Sequence, residues 1–294
     1  MHVKDQWVYR SWLFLKIALG ITGFLYGCTL IATNIMSFVD NPSDGYFNLN
    51  VAFRAIFIPC VVFLTPSLLL LISKNKYIIT TISYVTTILF ALLSIGTIAN
   101  IIRLTPSITL KKVSLALNPV SITLLTAATT LALAWLTSAI FQAASKNKTL
   151  KDQLVYRSWL LLKISLGLFF VLEGLSRKAA SSKSLIDYFI GLPFYSLIFI
   201  ILGLGLLILQ RKKSLTAFLY AVAIASSIEI LFGALFVAGL AISIGSIGLK
   251  LLNMLFVGFS MSYVMPIPIA AIALILLTEA VYNSHEPTRH NVPD

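Results

Sequence analysis

Histidine is nearly missing from this 294-residue chain. His2, His285 and His290 are the only three, and all lie outside the long apolar runs. Those runs therefore cannot supply a bis-histidine haem, a copper site or an imidazole proton relay. Cysteine is as scarce. Cys28 and Cys60 form no CxxC and no metal-spaced cluster. They read as small apolar side chains, with a disulfide or redox pair as the alternative. Charged residues make up only 11% of the chain, against about 25% in an average soluble domain. That is too little to cover the outside of a soluble helical protein. There is no P-loop, no GxGxxG and no nucleophile beside a base. Chemistry done by this chain alone is restricted to carboxylates, lysines and aromatics.

What the sequence does have is apolar length. It is 59% hydrophobic, with a mean hydropathy of +0.95. A helix needs about 20 apolar residues to cross a ~30 Å hydrocarbon core. Eight runs qualify, roughly 10–36, 51–73, 78–102, 113–144, 154–175, 193–209, 215–243 and 254–281, the sixth being short. They are continuous rather than alternating, so a membrane β-barrel is not expected. The expected fold is an all-α integral membrane protein of about eight transmembrane helices. The first run is too long for a signal peptide core and no small-residue cleavage site follows it, so it is expected to be retained.

The net charge of +12 is dispersed at the helix ends and does not predict nucleic-acid binding. With the N-terminus inside, twelve basic residues fall on cytoplasmic flanks and seven on outer loops. This asymmetry predicts a multi-pass protein of the plasma membrane with both termini cytoplasmic.

One segment occurs twice. "KDQWVYRSWLFLKIALG" starts at Lys4 and "KDQLVYRSWLLLKISLG" at Lys151, with fourteen of seventeen positions identical. Arg103 and Lys250, and Pro119 and Pro266, keep the same 147-residue offset. The expected units are residues 1–147 and 148–294, each with four helices. An even number of spans makes both enter from the same side, as parallel repeats. Two separate bundles and one interleaved bundle both fit.

Within the repeat, Asp5, Tyr9, Trp12, Lys16 and Gly20 share a helical stripe, as do Asp152, Tyr156, Trp159, Lys163 and Gly167. Tyr9, Arg10, Trp12 and their counterparts Tyr156, Arg157 and Trp159 fit an interfacial belt. A headgroup, quinone or partner-subunit contact is the sharper reading. Lys16 and Lys163 are expected either to snorkel to the interface or to face inward and meet an anion. The glycines above them favour the inward face. Glu229 lies mid-span, where a carboxylate needs a partner or a water-filled cavity; Lys163 is its expected partner. Glu173 is a second buried acid, with Arg177 in ion-pair position four residues on. Pro119, Pro266 and Pro268 are expected as kinks inside helices, freeing the carbonyls of Leu115, Ser262 and Val264.

In "KISLGLFFVLEGLSRK", Lys163 is followed by Gly167, Gly174 and then Arg177 or Lys178. This spacing resembles the first helix of the DoxX/DoxD family, and "DYFIGLPFYSLIFIILGLGLLILQRKKSLTAFLYAVA" is similar to that family's next two helices. The likeness covers about 85 residues of the second half. In the first half it reaches "KIALGITGFLYG", where Lys16, Gly20 and Gly27 keep the spacing and Leu30 replaces the final base. The resemblance implies a four-helix membrane protein. It also implies a role as a subunit of a quinol oxidase or thiosulfate:quinone oxidoreductase in a thermoacidophilic archaeon.

The leading expectation is thus an integral subunit of a respiratory or sulfur-oxidising, quinone-linked membrane complex. It would hold no haem or metal itself. It would contact lipid, other subunits carrying redox centres, and a quinone or structural lipid. The alternatives are a parallel-repeat transporter or channel using Glu229, and a structural scaffold in contact with lipid.

Overall fold

In a computed structural model of the chain, the described residues are 3–40, 57–104, 110–142, 148–181, 194–243 and 265–282. They are helical apart from short junctions. The helices are α1 (Val3–Asp40), α2 (Thr65–Ile72), α3 (Lys76–Leu104), α4 (Leu110–Gln142), α5 (Lys148–Ser181), α6 (Phe194–Ile208), α7 (Lys212–Ser243) and α8 (Pro266–Tyr282). Each overlaps one of the eight apolar runs. Four stretches are long and apolar enough to cross a membrane: Lys4–Ala32, Lys76–Ala99, Pro119–Phe141 and Thr149–Ser176. Phe57–Ile72, Ser196–Ile208 and Pro266–Tyr282 are apolar but shorter. The chain is an all-helical, multi-pass membrane protein.

The exposed side chains agree with a lipid environment. α3 presents Val85, Ile88, Leu92 and Ile95 outward, each more than half exposed. Such a continuous apolar face on a soluble monomer would be an association patch; against acyl chains it costs nothing.

Local chemistry sets the boundaries. Pro66 has no N–H to give and its ring crowds the carbonyl four residues back. The chain ahead of it widens into a π-helical turn, Cys60–Leu64. There the Thr65 N–H reaches Cys60 O instead of the usual i−4 carbonyl, and the Thr65 hydroxyl donates to the same oxygen at 3.0 Å. Between α2 and α3, "SKN" makes a capped turn. The Asn75 N–H donates to Ser73 Oγ at 3.0 Å, and the Tyr77 N–H to Asn75 Oδ1 at 2.9 Å. Such side-chain acceptors satisfy the first free donors of a helix.

One apolar core runs through both halves. α1 packs on α2, α4 and α8, while α5 packs on α4, α6 and α8. α1 and α5 thus each touch both α4 and α8. α8 is buried along nearly its whole length. Close approach of α1 to α2, and of α5 to α6, depends on glycine. A Cβ at Gly20 would stand 2.6 Å from Leu71 Cγ, and one at Gly167 would stand 2.8 Å from Leu207 and 3.2 Å from Gly203 O.

Pro119 does stand inside α4. Pro266 and Pro268, however, occupy the first turn of α8, where a missing N–H removes no helical hydrogen bond. Ser262 and Val264, and the run 254–264 as a whole, lie outside the described residues.

Candidate functional site

The repeated segment builds the same set of contacts twice, at one end of the bundle. It starts with crosswise ion pairs. Lys4 Nζ meets Asp152 Oδ1 at 2.8 Å, and Lys151 Nζ meets Asp5 Oδ1. A Lys-Asp dipeptide at the start of two parallel helices places each base opposite the other helix's acid. α1 and α5 therefore begin at the same end. These pairs are partly exposed, with 22% and 41% exposure for the first, so they set register more than they stabilise.

Two turns further in, the tryptophans are buried. Trp12 Nε1 donates to Thr137 Oγ1 on α4 at 2.9 Å, and Trp159 Nε1 donates to Thr278 Oγ1 on α8 at 3.0 Å. Each threonine passes its own proton to a carbonyl one turn back, Leu133 O and Leu274 O. Each indole stacks on the tyrosine three residues before it, with centroids 5.4 Å apart for Tyr9 and 5.6 Å for Tyr156. Each also meets an aromatic edge-on near the end of the last helix, Phe141 at 6.4 Å and Tyr282 at 6.3 Å. The expected interfacial belt thus divides. Tyr9, Arg10, Tyr156 and Arg157 are exposed, while Trp12 and Trp159 are core residues. Arg10 lies over the Trp7 ring at 5.0 Å; Leu154 holds the matching position in the second copy.

Lys16 and Lys163 turn inward, but the partner is not a carboxylate. Lys16 Nζ donates to Ser73 O at 2.6 Å and Lys163 Nζ to Leu209 O at 2.7 Å. Each ammonium caps the C-terminal carbonyls of the helix behind it, α2 or α6, where the dipole favours a cation. Each also lies over the indole one turn before it, at 5.6 and 5.4 Å. Buried side-chain amines with a carbonyl acceptor and a ring face are well accommodated. They are structural clasps.

Lys163 is the expected partner of Glu229. Glu229 is seventeen residues along α7 from Lys212, about 25 Å at the helical rise. Lys212 stays at the basic end, paired with Glu279 of α8 at 3.0 Å, and Lys163 is anchored there too. The side chain of Glu229 lies outside the described residues. Glu173 is buried, and the side chain of Arg177 lies outside the described residues. Cys28 and Cys60 are both free thiols. Among the described residues no group of three or more His, Cys, Asp and Glu side chains could hold a metal ion.

The basic character of this end is reinforced by the two helix junctions. α2–α3 brings Lys74 and Lys76, and α6–α7 brings Arg211, Lys212 and Lys213. Tyr282 OH donates to Gln210 O and closes the second junction against α8. Sequence reasoning missed Thr137, Thr278 and the two capped carbonyls. The repeat of the Lys-Asp dipeptide was a usable signal for the crosswise pairs.

Compared with protein-family models, curated proteins and solved structures, the chain matches none.

Proposed function

We propose that this chain is an integral, non-catalytic subunit of a respiratory or sulfur-oxidising membrane complex. In this reading it is two parallel four-helix units, 1–147 and 148–294, with both termini cytoplasmic. It grips its partner subunits through two Tyr-Arg surfaces at the basic end, Tyr9–Arg10 and Tyr156–Arg157. The placement follows from charge, since the end that gathers the junction lysines and arginines belongs on the inside.

One observation carries the proposal. Packing accounts for the repeated Val8, Ser11, Trp12, Leu15 and Lys16, all of which are buried, as are their counterparts. It does not account for Arg10 and Arg157, which are exposed in both copies yet retained between halves that differ widely elsewhere. Exposed aromatic-arginine pairs are the composition of an interaction surface rather than of a plain anchor. The quinone linkage rests on the spacing resemblance to the DoxX/DoxD family. The test is charge reversal at both arginines, Arg10→Glu with Arg157→Glu, expressed in the native membrane. On native gels the partner subunits should separate from the variant while its own thermal midpoint stays within a few degrees of the parent. Normal assembly of the double variant would reduce the segment to a membrane anchor.

A further inference from the structure

A cavity of about 270 Å³ lies in the first half, among α1, the π turn with α2, α3, α4 and the start of α8. Its walls are mostly apolar, with Leu19, Leu70, Phe90 and Ile122 among them, and the prolines Pro66, Pro119 and Pro266 border it. An apolar cavity of roughly 150 Å³ accepts a benzene ring. This one suits one or two rings, or a short branched chain, and is too small for a whole lipid.

The polar atoms are what give it a ligand class. Thr22, Thr123 and Thr126 all line it. Each hydroxyl donates its single proton to its own helix, at 2.8 Å to Ala18 O, 2.9 Å to Pro119 O and 2.9 Å to Ile122 O. What remains for an occupant is oxygen lone pairs on two helices, α1 and α4, with Thr123 also sharing its oxygen with Ser94 Oγ at 2.6 Å. Ser67 of α2 adds a hydroxyl on a third. A purely apolar chain would leave these acceptors unmatched, and a carbonyl, which can accept from Ser67, has no proton to give the threonine oxygens. A hydroxyl group donates to a threonine oxygen and can accept from Ser67.

Two features keep the space open in this half. Gly23 lines it, whereas the position 147 residues later is Phe170. Phe170 is buried, with its ring 5.5 Å from Phe169 and 5.9 Å from Phe199 of α6. The π turn at Cys60–Leu64 also belongs to the wall, through Val62 and Phe63. Widened turns of this kind often mark functional positions. The geometry points to a binding site for a small apolar alcohol or phenol, built into the first repeat and closed by Phe170 in the second. This goes beyond the partner-binding reading and does not depend on it.

The test is photolabelling of the full-length protein in lipid nanodiscs. The probes are a medium-chain alcohol carrying a diazirine and the methyl ether of the same alcohol, with labelled peptides mapped by mass spectrometry. The alcohol should label α1, α2 and α4 saturably. 1-Naphthol should displace it, and 1-methoxynaphthalene should do so at least about fivefold less well, the worth of one hydrogen bond. The triple variant Thr22→Val, Thr123→Val, Thr126→Val keeps the volume and should lose the preference for alcohol over ether. Thr126→Phe, which fills the space, should abolish both labels there. Equal, non-saturable labelling by alcohol and ether, or an unchanged preference in the triple variant, would overturn the site and leave an acyl-chain cleft. The naphthol competition on the unmodified protein decides the matter even if a variant fails to fold.

Discussion

The buried Trp-Thr bonds make the most exacting prediction. In the first half, Thr137→Val leaves the Trp12 indole N–H buried with no acceptor, for Trp12 is 6% exposed and Thr137 is 0% exposed. Indole nitrogen can only donate, so the penalty is that of an unmade bond, about 1–3 kcal/mol. Trp12→Phe removes the donor instead. It leaves the Thr137 proton on Leu133 O, and costs about 1–2 kcal/mol for the bond and the smaller ring. The double variant has neither group and should recover part of the sum. Interhelical side-chain bonds in membranes average about 0.6 kcal/mol, with values up to about 1.7. Full burial of both partners places the expected coupling at about 1 kcal/mol. Reversible unfolding in mixed detergent micelles, run as a double-mutant cycle, measures it. The cycle on Trp159 and Thr278 should give the same value, since its distance and burial match. Couplings indistinguishable from zero in both cycles would refute the claim that these tryptophans are structural.

Other outcomes follow from the same contacts. Lys16→Met and Lys163→Met should each destabilise by about 1–3 kcal/mol in the same unfolding assay, because each strips the charged donor from a helix-end carbonyl. Gly167→Ala should cost about 1–3 kcal/mol by forcing α5 from α6, whereas Gly96→Ala, with nothing within 4 Å of its Cβ, should be neutral or slightly stabilising. Asp152→Lys should destabilise by no more than about 1 kcal/mol, in a salt-dependent way, and Lys4→Asp added to it should restore the loss. Alkylation of the denatured, unreduced protein should modify both Cys28 and Cys60, read by intact mass.

Much of the fold was legible because hydropathy over twenty residues is a coarse and sturdy signal. All eight apolar runs contain a helix. What hydropathy does not see is proline. The eighth run continues through Pro266 and Pro268, so it was read as one kinked span, yet the described helix begins at Pro266, where the ring is tolerated. The inward turn of Lys16 and Lys163 was legible from the glycine stripe. Their partners were not, because a backbone carbonyl at a helix end carries no residue signature. The side chain of Glu229, expected to meet Lys163, lies outside the described residues, while the Lys163 ammonium is held at Leu209 O. The threonines that hold the tryptophans are over a hundred residues distant, among many others of their kind. The cavity left one trace in the sequence, the mismatch of Gly23 with Phe170, which reads in one dimension only as a broken GxxxG.

The central claim is that this chain serves as a subunit, meeting partners at its basic end. The most direct measurement is purification of the untagged complex from native membranes under mild detergent, with subunit mass spectrometry and an absorption spectrum. Stoichiometric companion subunits carrying haem, flavin or iron–sulfur signals, cross-linked to peptides containing Arg10 or Arg157, are the predicted result. A protein that elutes alone and colourless, with no cross-links at those arginines, would contradict it.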